Sequence, residues 1–186
     1  MTKPTFIKLK STFHSYENEK FAKLMALDKI THRDMIYSLS LEENRNMVFQ
    51  AGEGAGKSGS FFFFSHDNQF LIKTLRGSEK KLLLGMLDDY IKHIEETDNK
   101  SLLARIYGVF TIKSNYFDSL DIMIMQNTSQ LEDKDHPKMV FDIKGSTVNR
   151  KSEVDAQFWR RNFNQKKTMK DMNFVEISQD SALVKL

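Results

Sequence analysis

A glycine-rich run that leads straight into strand-forming sequence constrains this chain more than any other feature. Ala51-Gly52-Glu53-Gly54-Ala55-Gly56-Lys57-Ser58 is followed at once by Gly59-Ser60-Phe61-Phe62-Phe63-Phe64. The run nearly matches a P-loop, keeping the Gly-Lys-Ser ending but with alanine in place of the first glycine. A P-loop, however, continues into a helix whose N-terminal N–H groups hold phosphate. Four consecutive phenylalanines are poor material for a helix start and good material for a strand buried on both faces. The other use of such a run is a strand–glycine–strand flap over nucleotide phosphates. There the missing Cβ atoms let backbone N–H groups approach the phosphate oxygens.

The next residues favour the flap. Ser60 to Ser65 and Phe70 to Leu75 are strand-like, and the polar His66, Asp67 and Asn68 between them suit a turn, which predicts a β-hairpin. A flap of this kind also needs a lysine on the following strand to pair with the phosphates. Lys73 stands mid-strand, and alternation places it on the face of Leu71 and Leu75. Burying it unpaired would be costly. A lysine reaching water at a sheet edge is the alternative, and the glycine run upstream favours the phosphate-facing reading.

Elsewhere the patterns alternate between helix and strand without a βαβ rhythm. Phe21, Leu24, Leu27 and Ile30 recur at helical spacing over 17–30, and Thr31 with Asp34 is spaced as a capping box ahead of a second short helix. Ser78 can cap a helix running to about Glu96, with Leu83, Leu87, Ile91 and Ile94 as its buried stripe. Strands are predicted at 105–113, at 120–126 and from Met139 to Lys144. The fold class is therefore α+β, an antiparallel sheet with flanking helices. There are no cysteines, which excludes disulfides and thiolate metal sites and suits a reducing compartment, and the five histidines show no metal-ligand spacing. No apolar stretch approaches the roughly 20 residues that span a bilayer, and residues 1–10 do not read as a signal peptide. A cytoplasmic protein is expected, with any membrane contact made from its surface.

Several motifs in order carry a family resemblance. Lys57 to Phe64, then Asp67 and Phe70-Leu71-Ile72-Lys73-Thr74-Leu75, closely resemble the glycine-loop and lysine-strand region of phosphatidylinositol phosphate kinases. Ser78-Glu79-Lys80-Lys81 looks like the start of the helix that follows. Leu102-Leu103, Arg105 and Ile106-Tyr107-Gly108 are similar to an "LLPRFYG" segment, with Ala104 where proline is usual. Asp142-Ile143-Lys144-Gly145-Ser146-Thr147 resembles the "DLKGS" signature, the most specific match, and Thr168 to Phe174 resembles "LKDLDF". The resemblance implies a kinase-like nucleotide lobe over about 15–128 and part of a second lobe over 129–186, behind an N-terminal tail of 1–14. It also implies ATP-dependent phosphorylation of a phosphoinositide headgroup.

Under the resemblance, Gly54, Gly56, Lys57, Ser58, Gly59 and Ser60 cover the phosphates and Lys73 pairs with them. Met125, Gln126 and Asn127 form the hinge beside adenine, with an ordinary strand end as the alternative. Asp142 and Lys144, two apart on a strand and so sharing a face, are either a structural salt bridge or, with the family in view, a site pair with Lys144 as a second phosphate-facing lysine. Residues 144–170 hold eight Lys or Arg against Glu153 and Asp155, a local balance of +6 in a chain of net charge +3. Arg150, Lys151, Arg160, Arg161, Lys166 and Lys167, with Trp159 beside the arginines, suit an anionic membrane surface. A solvated loop is the bland alternative, and nucleic acid the weakest reading. The family's "MDYSLL" segment, metal-binding aspartate and substrate loop have no counterpart after Phe174. Met35-Ile36-Tyr37-Ser38-Leu39 is superficially similar to the first of these but lacks its aspartate and precedes the glycine run. Mg²⁺ ligands are therefore expected outside these 186 residues, which by themselves are expected to be an inactive fragment. The alternative is a truncated relative that only binds nucleotide or membrane.

Overall fold

Alternating apolar residues draw the front of the chain into an antiparallel ladder. The computed structural model describes residues 10–47, 60–128, 139–153 and 168–179, and the chain divides into a unit of Met1–Gln130 and a unit of Leu131–Leu186. In the first unit, β1 (Ser11–Tyr16), β2 (Phe62–Phe64), β3 (Phe70–Leu75), β4 (Ile106–Ser114) and β5 (Phe117–Gln126) form one sheet in the order β1-β4-β5-β3-β2. All of its pairings are antiparallel. Strand β1 begins inside the residues read as tail. Its short polar sequence hides a strand that exists because β4 offers it an edge.

The predicted hairpin is present. Phe62 lies opposite Lys73, Phe63 opposite Ile72 and Phe64 opposite Leu71. Phe61 extends the pairing, its carbonyl accepting from Thr74 N at 3.0 Å. Burial of the phenylalanines on both faces is not observed: Phe61, Phe63 and Phe64 are exposed. Among the described residues β2 is the sheet's edge and pairs with β3 alone. At the turn, Asn68 takes φ 59°, a left-handed conformation that asparagine tolerates.

Helix α1 (Asn18–Leu27) buries Phe21, Leu24 and Met25. The helix ends at Leu27, so Leu27 is exposed and Met25 completes the stripe instead. Helix α2 (His32–Ser38) starts at the expected capping box, with Asp34 N donating to Thr31 Oγ1 at 3.2 Å and Thr31 N to Asp34 Oδ2 at 2.8 Å. Helix α3 (Leu41–Met47) follows. The single helix expected from Ser78 is instead two, α4 (Gly77–Gly85) and α5 (Leu87–Glu96), divided at Met86 just after a glycine, the residue that costs most in a helix interior after proline. Helix α5 carries Leu87, Ile91 and Ile94 of the predicted stripe, all buried, and adds buried Tyr90, whereas Leu83 falls on α4 and is half-buried.

Strand alternation sends side chains into two apolar clusters. Val109, Leu75 and Met123 join Phe21, Leu24 and the α5 stripe. Phe70, Ile72, Tyr107, Phe110 and Ile124 join Met25, Ile30, Met35 and Leu39. At Gly108 the Phe110 ring crosses β4, and a Cβ there would lie 2.5 Å from that ring, so any larger residue would have to displace it.

In the second unit, β6 (Phe141–Asp142) pairs in parallel with β7 (Met169–Lys170), which leads directly into α6 (Asp171–Gln179). The strand predicted from Met139 to Lys144 is thus two residues long. Asn173, fully buried, ties the unit together: its Oδ1 accepts from Ser152 N at 2.8 Å and Lys170 N at 3.2 Å, and its Nδ2 donates to Ser152 O at 3.0 Å. Among the described residues, no helix is long and apolar enough to cross a membrane.

Candidate nucleotide site

Lys73 projects from the middle of the sheet toward α4. Its Nζ lies 3.2 Å from Glu79 Oε1, with only 15% of the lysine side chain exposed. It stands 6.0 Å from the ring centre of Phe62, its cross-strand neighbour. The edge-lysine alternative does not hold, because β3 has β2 on one side and β5 on the other.

Glu79 is the residue that reading the sequence missed. It occupies the third position of α4, and its Oε2 accepts from Arg76 N at 2.8 Å, closing the helix N-terminus. That backbone bond, then the contact with Lys73, outweighs partial burial and holds the Glu79 carboxyl below its ordinary value. A glutamate six residues after a strand lysine, in the first turn of the next helix, was the available signal.

Of the proposed phosphate-covering residues, Ser60 is described and is buried. Gly54, Gly56, Lys57, Ser58 and Gly59 lie outside the described residues. The chain emerging from the glycine run enters a hairpin strand, not a helix, from Phe62 onward. The hairpin's far end is anchored. Asp67 accepts from Ser38 Oγ at 2.5 Å, Ser65 Oγ at 2.6 Å and Gln69 N at 3.2 Å. Burial works to raise the Asp67 carboxyl, but these donors outweigh it and keep it low. His66 N donates to Asn44 Oδ1 at 2.9 Å, so the turn rests on both α2 and α3.

Met125, Gln126 and Asn127 lie at and just beyond the end of β5, where the chain leaves the sheet. Two of the backbone donors there are already used: Gln126 N bonds Arg105 O at 2.8 Å and Asn127 N bonds Gln69 O at 3.0 Å. The guanidinium of Arg105 is itself buried against Asn99 and Asp28, so this end of the sheet is firmly braced.

In the second unit, Asp142 and Lys144 form the salt bridge that two-residue spacing allows, Lys144 Nζ to Asp142 Oδ2 at 3.4 Å, with Lys144 62% exposed. The loop after Asp142 is organised by Asp171. Its Oδ1 accepts from the backbone N–H groups of Lys144 at 2.8 Å, Gly145 at 2.7 Å and Ser146 at 3.3 Å. Gly145 has φ 66°, which turns its N–H toward the carboxylate. Arg150 Nε donates to Asp171 Oδ2 at 2.7 Å and Arg150 Nη2 lies 3.2 Å from Asp142 Oδ2. The Arg150 bond, then the backbone donors, holds the Asp171 carboxyl far below the usual carboxylate range.

This corrects one sequence assignment. Arg150, grouped there with the membrane-facing cations, is turned inward between two carboxylates, with 12% of its side chain exposed. Lys151 is exposed and pairs with Glu176. Arg160, Arg161, Lys166 and Lys167 lie outside the described residues. Among the described residues, no three His, Asp or Glu side chains converge to hold a metal ion. Asp142 is committed to Arg150 and Lys144, so the described groups do not fit a Mg²⁺ cage.

An antiparallel five-stranded sheet with flanking helices is an α+β, kinase-like fold. The family model for phosphatidylinositol-4-phosphate 5-kinase matches residues 44–185. A Dictyostelium discoideum protein named a probable phosphatidylinositol phosphate kinase is 37% identical over 147 residues, covering 78% of this chain and 20% of that one. Phosphatidylinositol 4-phosphate 5-kinase 8 of Arabidopsis thaliana is 32% identical over 164 residues, covering 88% of this chain and 20% of its own length. A phosphatidylinositol 4-phosphate 5-kinase of Schizosaccharomyces pombe is 33% identical over 138 residues, covering 74% and 18%. The chain belongs to the phosphatidylinositol-4-phosphate 5-kinase family. It spans about a fifth of the length of these curated relatives.

Proposed function

We propose that this chain supplies the ATP-binding part of a phosphatidylinositol phosphate kinase. The observation that carries the reading is Lys73 held by Glu79 on the strand that follows the glycine run. In the reaction, a phosphoinositide hydroxyl oxygen attacks the γ-phosphorus of ATP and releases its proton to solvent, the bond from that phosphorus to the bridging oxygen breaks, and ADP leaves. The terminal phosphoryl is poor in covalent handles, so most of the catalytic task is positioning and charge stabilisation. Lys73 contributes a compact positive charge at the phosphates. Glu79 fixes its direction before nucleotide arrives, and the glycine run covers the phosphates with backbone N–H groups. By the family resemblance Lys144, exposed and paired with Asp142 at 3.4 Å, is a further phosphate-facing cation carried by the second unit. The P-loop alternative is disfavoured by the hairpin strand that follows the run.

Calorimetric titration tests the reading. ATP and ADP are expected to bind the 186-residue chain and adenosine to bind much more weakly, because the recognised element is the phosphate chain. Absence of ATP binding at millimolar concentration would remove the proposal.

The same reading places the protein in the cytoplasm with peripheral membrane association. Arg160, Arg161, Lys166 and Lys167, in the segment of local charge +6, are the proposed contacts with an anionic bilayer, each worth about 1 kcal/mol near the surface. Replacing all four with alanine should abolish most sedimentation with phosphoinositide-containing vesicles, and added salt should weaken the unaltered protein likewise. Binding that ignores salt would rule out this electrostatic contact.

A further inference from the structure

Lys73 and Glu79 sit on different elements, so their contact depends on where α4 lies on the sheet. Apolar packing does little to set that position. No residue of α4 is buried, Leu82 is exposed, and only Leu83 and Leu84 reach the core, partly buried. The residue next to Glu79 supplies the missing constraint. Lys80 Nζ donates to Asp121 Oδ1 at 2.7 Å, Thr111 Oγ1 at 3.1 Å and Tyr16 OH at 3.2 Å. These acceptors stand on β5, β4 and β1, three adjacent strands. The ammonium also lies 4.9 Å from the Tyr16 ring centre, and Thr111 Oγ1 donates to Asp121 Oδ1 at 2.5 Å. Asp121 is the cross-strand partner of Leu75, two residues along β3 from Lys73.

We infer that the Lys80–Asp121 pair is a positioning clamp that sets α4 on the sheet and so keeps Glu79 within reach of Lys73. This rests on the reading of Lys73 as the phosphate-facing lysine. Charge order makes the clamp selective. The helix presents minus then plus at 79 and 80, and the sheet presents plus at 73 and minus at 121. Both pairs close in one placement of the helix. A placement that brought Glu79 to Asp121, or Lys80 to Lys73, would set like charges together. An ammonium has three N–H donors, and all three of Lys80's have protein acceptors, so Lys80 acts through Glu79 and not as a phosphate ligand. The hydrogen bond that Lys80 donates to Asp121 raises the Lys80 pKa against partial burial. At Asp121, burial raises the carboxyl and the bonds from Lys80 and Thr111 overcome it.

The test uses the full 186-residue chain as Lys80→Met, Asp121→Asn and the reversed pair Lys80→Glu with Asp121→Lys. Each is confirmed folded by circular dichroism at the assay temperature. The first readout needs no nucleotide: the rate at which acetic anhydride labels Lys73, measured by mass spectrometry relative to exposed Lys81. With the clamp gone, Lys73 is expected to label faster by about threefold, the scale of one partly exposed ion pair. ATP affinity should fall by a similar factor while adenosine affinity stays constant. The reversed pair should bring both values back toward the original. A loss of melting temperature alone, with Lys73 labelling and ATP affinity unchanged in a folded single variant, would overturn the inference. Should the unaltered chain fail to bind ATP, the nucleotide reading falls, and Lys73 labelling still decides whether the clamp exists.

Discussion

Lys73→Met is expected to weaken ATP binding by tenfold or more while leaving adenosine binding and the fold in place. A hydrogen bond to a charged group is worth about 1.5–3 kcal/mol, and each 1.4 kcal/mol is a factor of about ten in affinity. Methionine approximates the lysine stem and can stay against Phe62, the cross-strand neighbour. Glu79 loses a partner but keeps its bond from Arg76 N, and 38% of its side chain meets water. The substitution therefore removes a charge without leaving a buried one uncompensated. Titration of both forms with ATP and with adenosine separates the outcomes. Equal ATP affinity would place the phosphates elsewhere. Loss of adenosine binding as well would show that the lobe itself had been disturbed.

Asp171→Ala is expected to release the loop from Lys144 to Ser152. Alanine would leave three consecutive backbone N–H groups without their acceptor and Arg150 with only Asp142. The N-terminus of α6 would lose its acidic residue as well. Trypsin should then cut after Arg150 and Lys151 far faster than in the unaltered chain, and hydrogen exchange at residues 144–146 should rise to the rate of open backbone. Acid should act in the same direction. The folded Asp171 carboxyl lies well below its unfolded value of about 3.9, so its contribution is complete above that pH and is lost progressively as the pH falls below it. Pepsin sensitivity of this loop should therefore appear only below about pH 4. A loop equally protected in Asp171→Ala would show that another contact organises it.

Local patterns settled a good part of this molecule. The hairpin was legible because strand-period residues flank a polar turn, and its register put Lys73 on the face shared with Leu71 and Leu75. The Thr31–Asp34 capping box and the Leu87, Ile91 and Ile94 stripe were legible because both rest on contacts three or four residues apart, which the sequence writes out directly. The family was legible because several motifs fall in the right order. The fates of the four phenylalanines and of residues 11–16 were not. Whether a strand is central or at an edge depends on which distant segment lies beside it, and the pairing of β1 with β4 joins residues about a hundred positions apart. Arg150 reads as one more cation in a basic segment, and only the return of the chain at Asp171 turns it inward. Glu79 and Lys80 likewise read as an ordinary charged helix start. Their partners, Lys73 and Asp121, are assigned by how α4 lies across the sheet, because an ion pair depends on distance in space and not on separation along the chain.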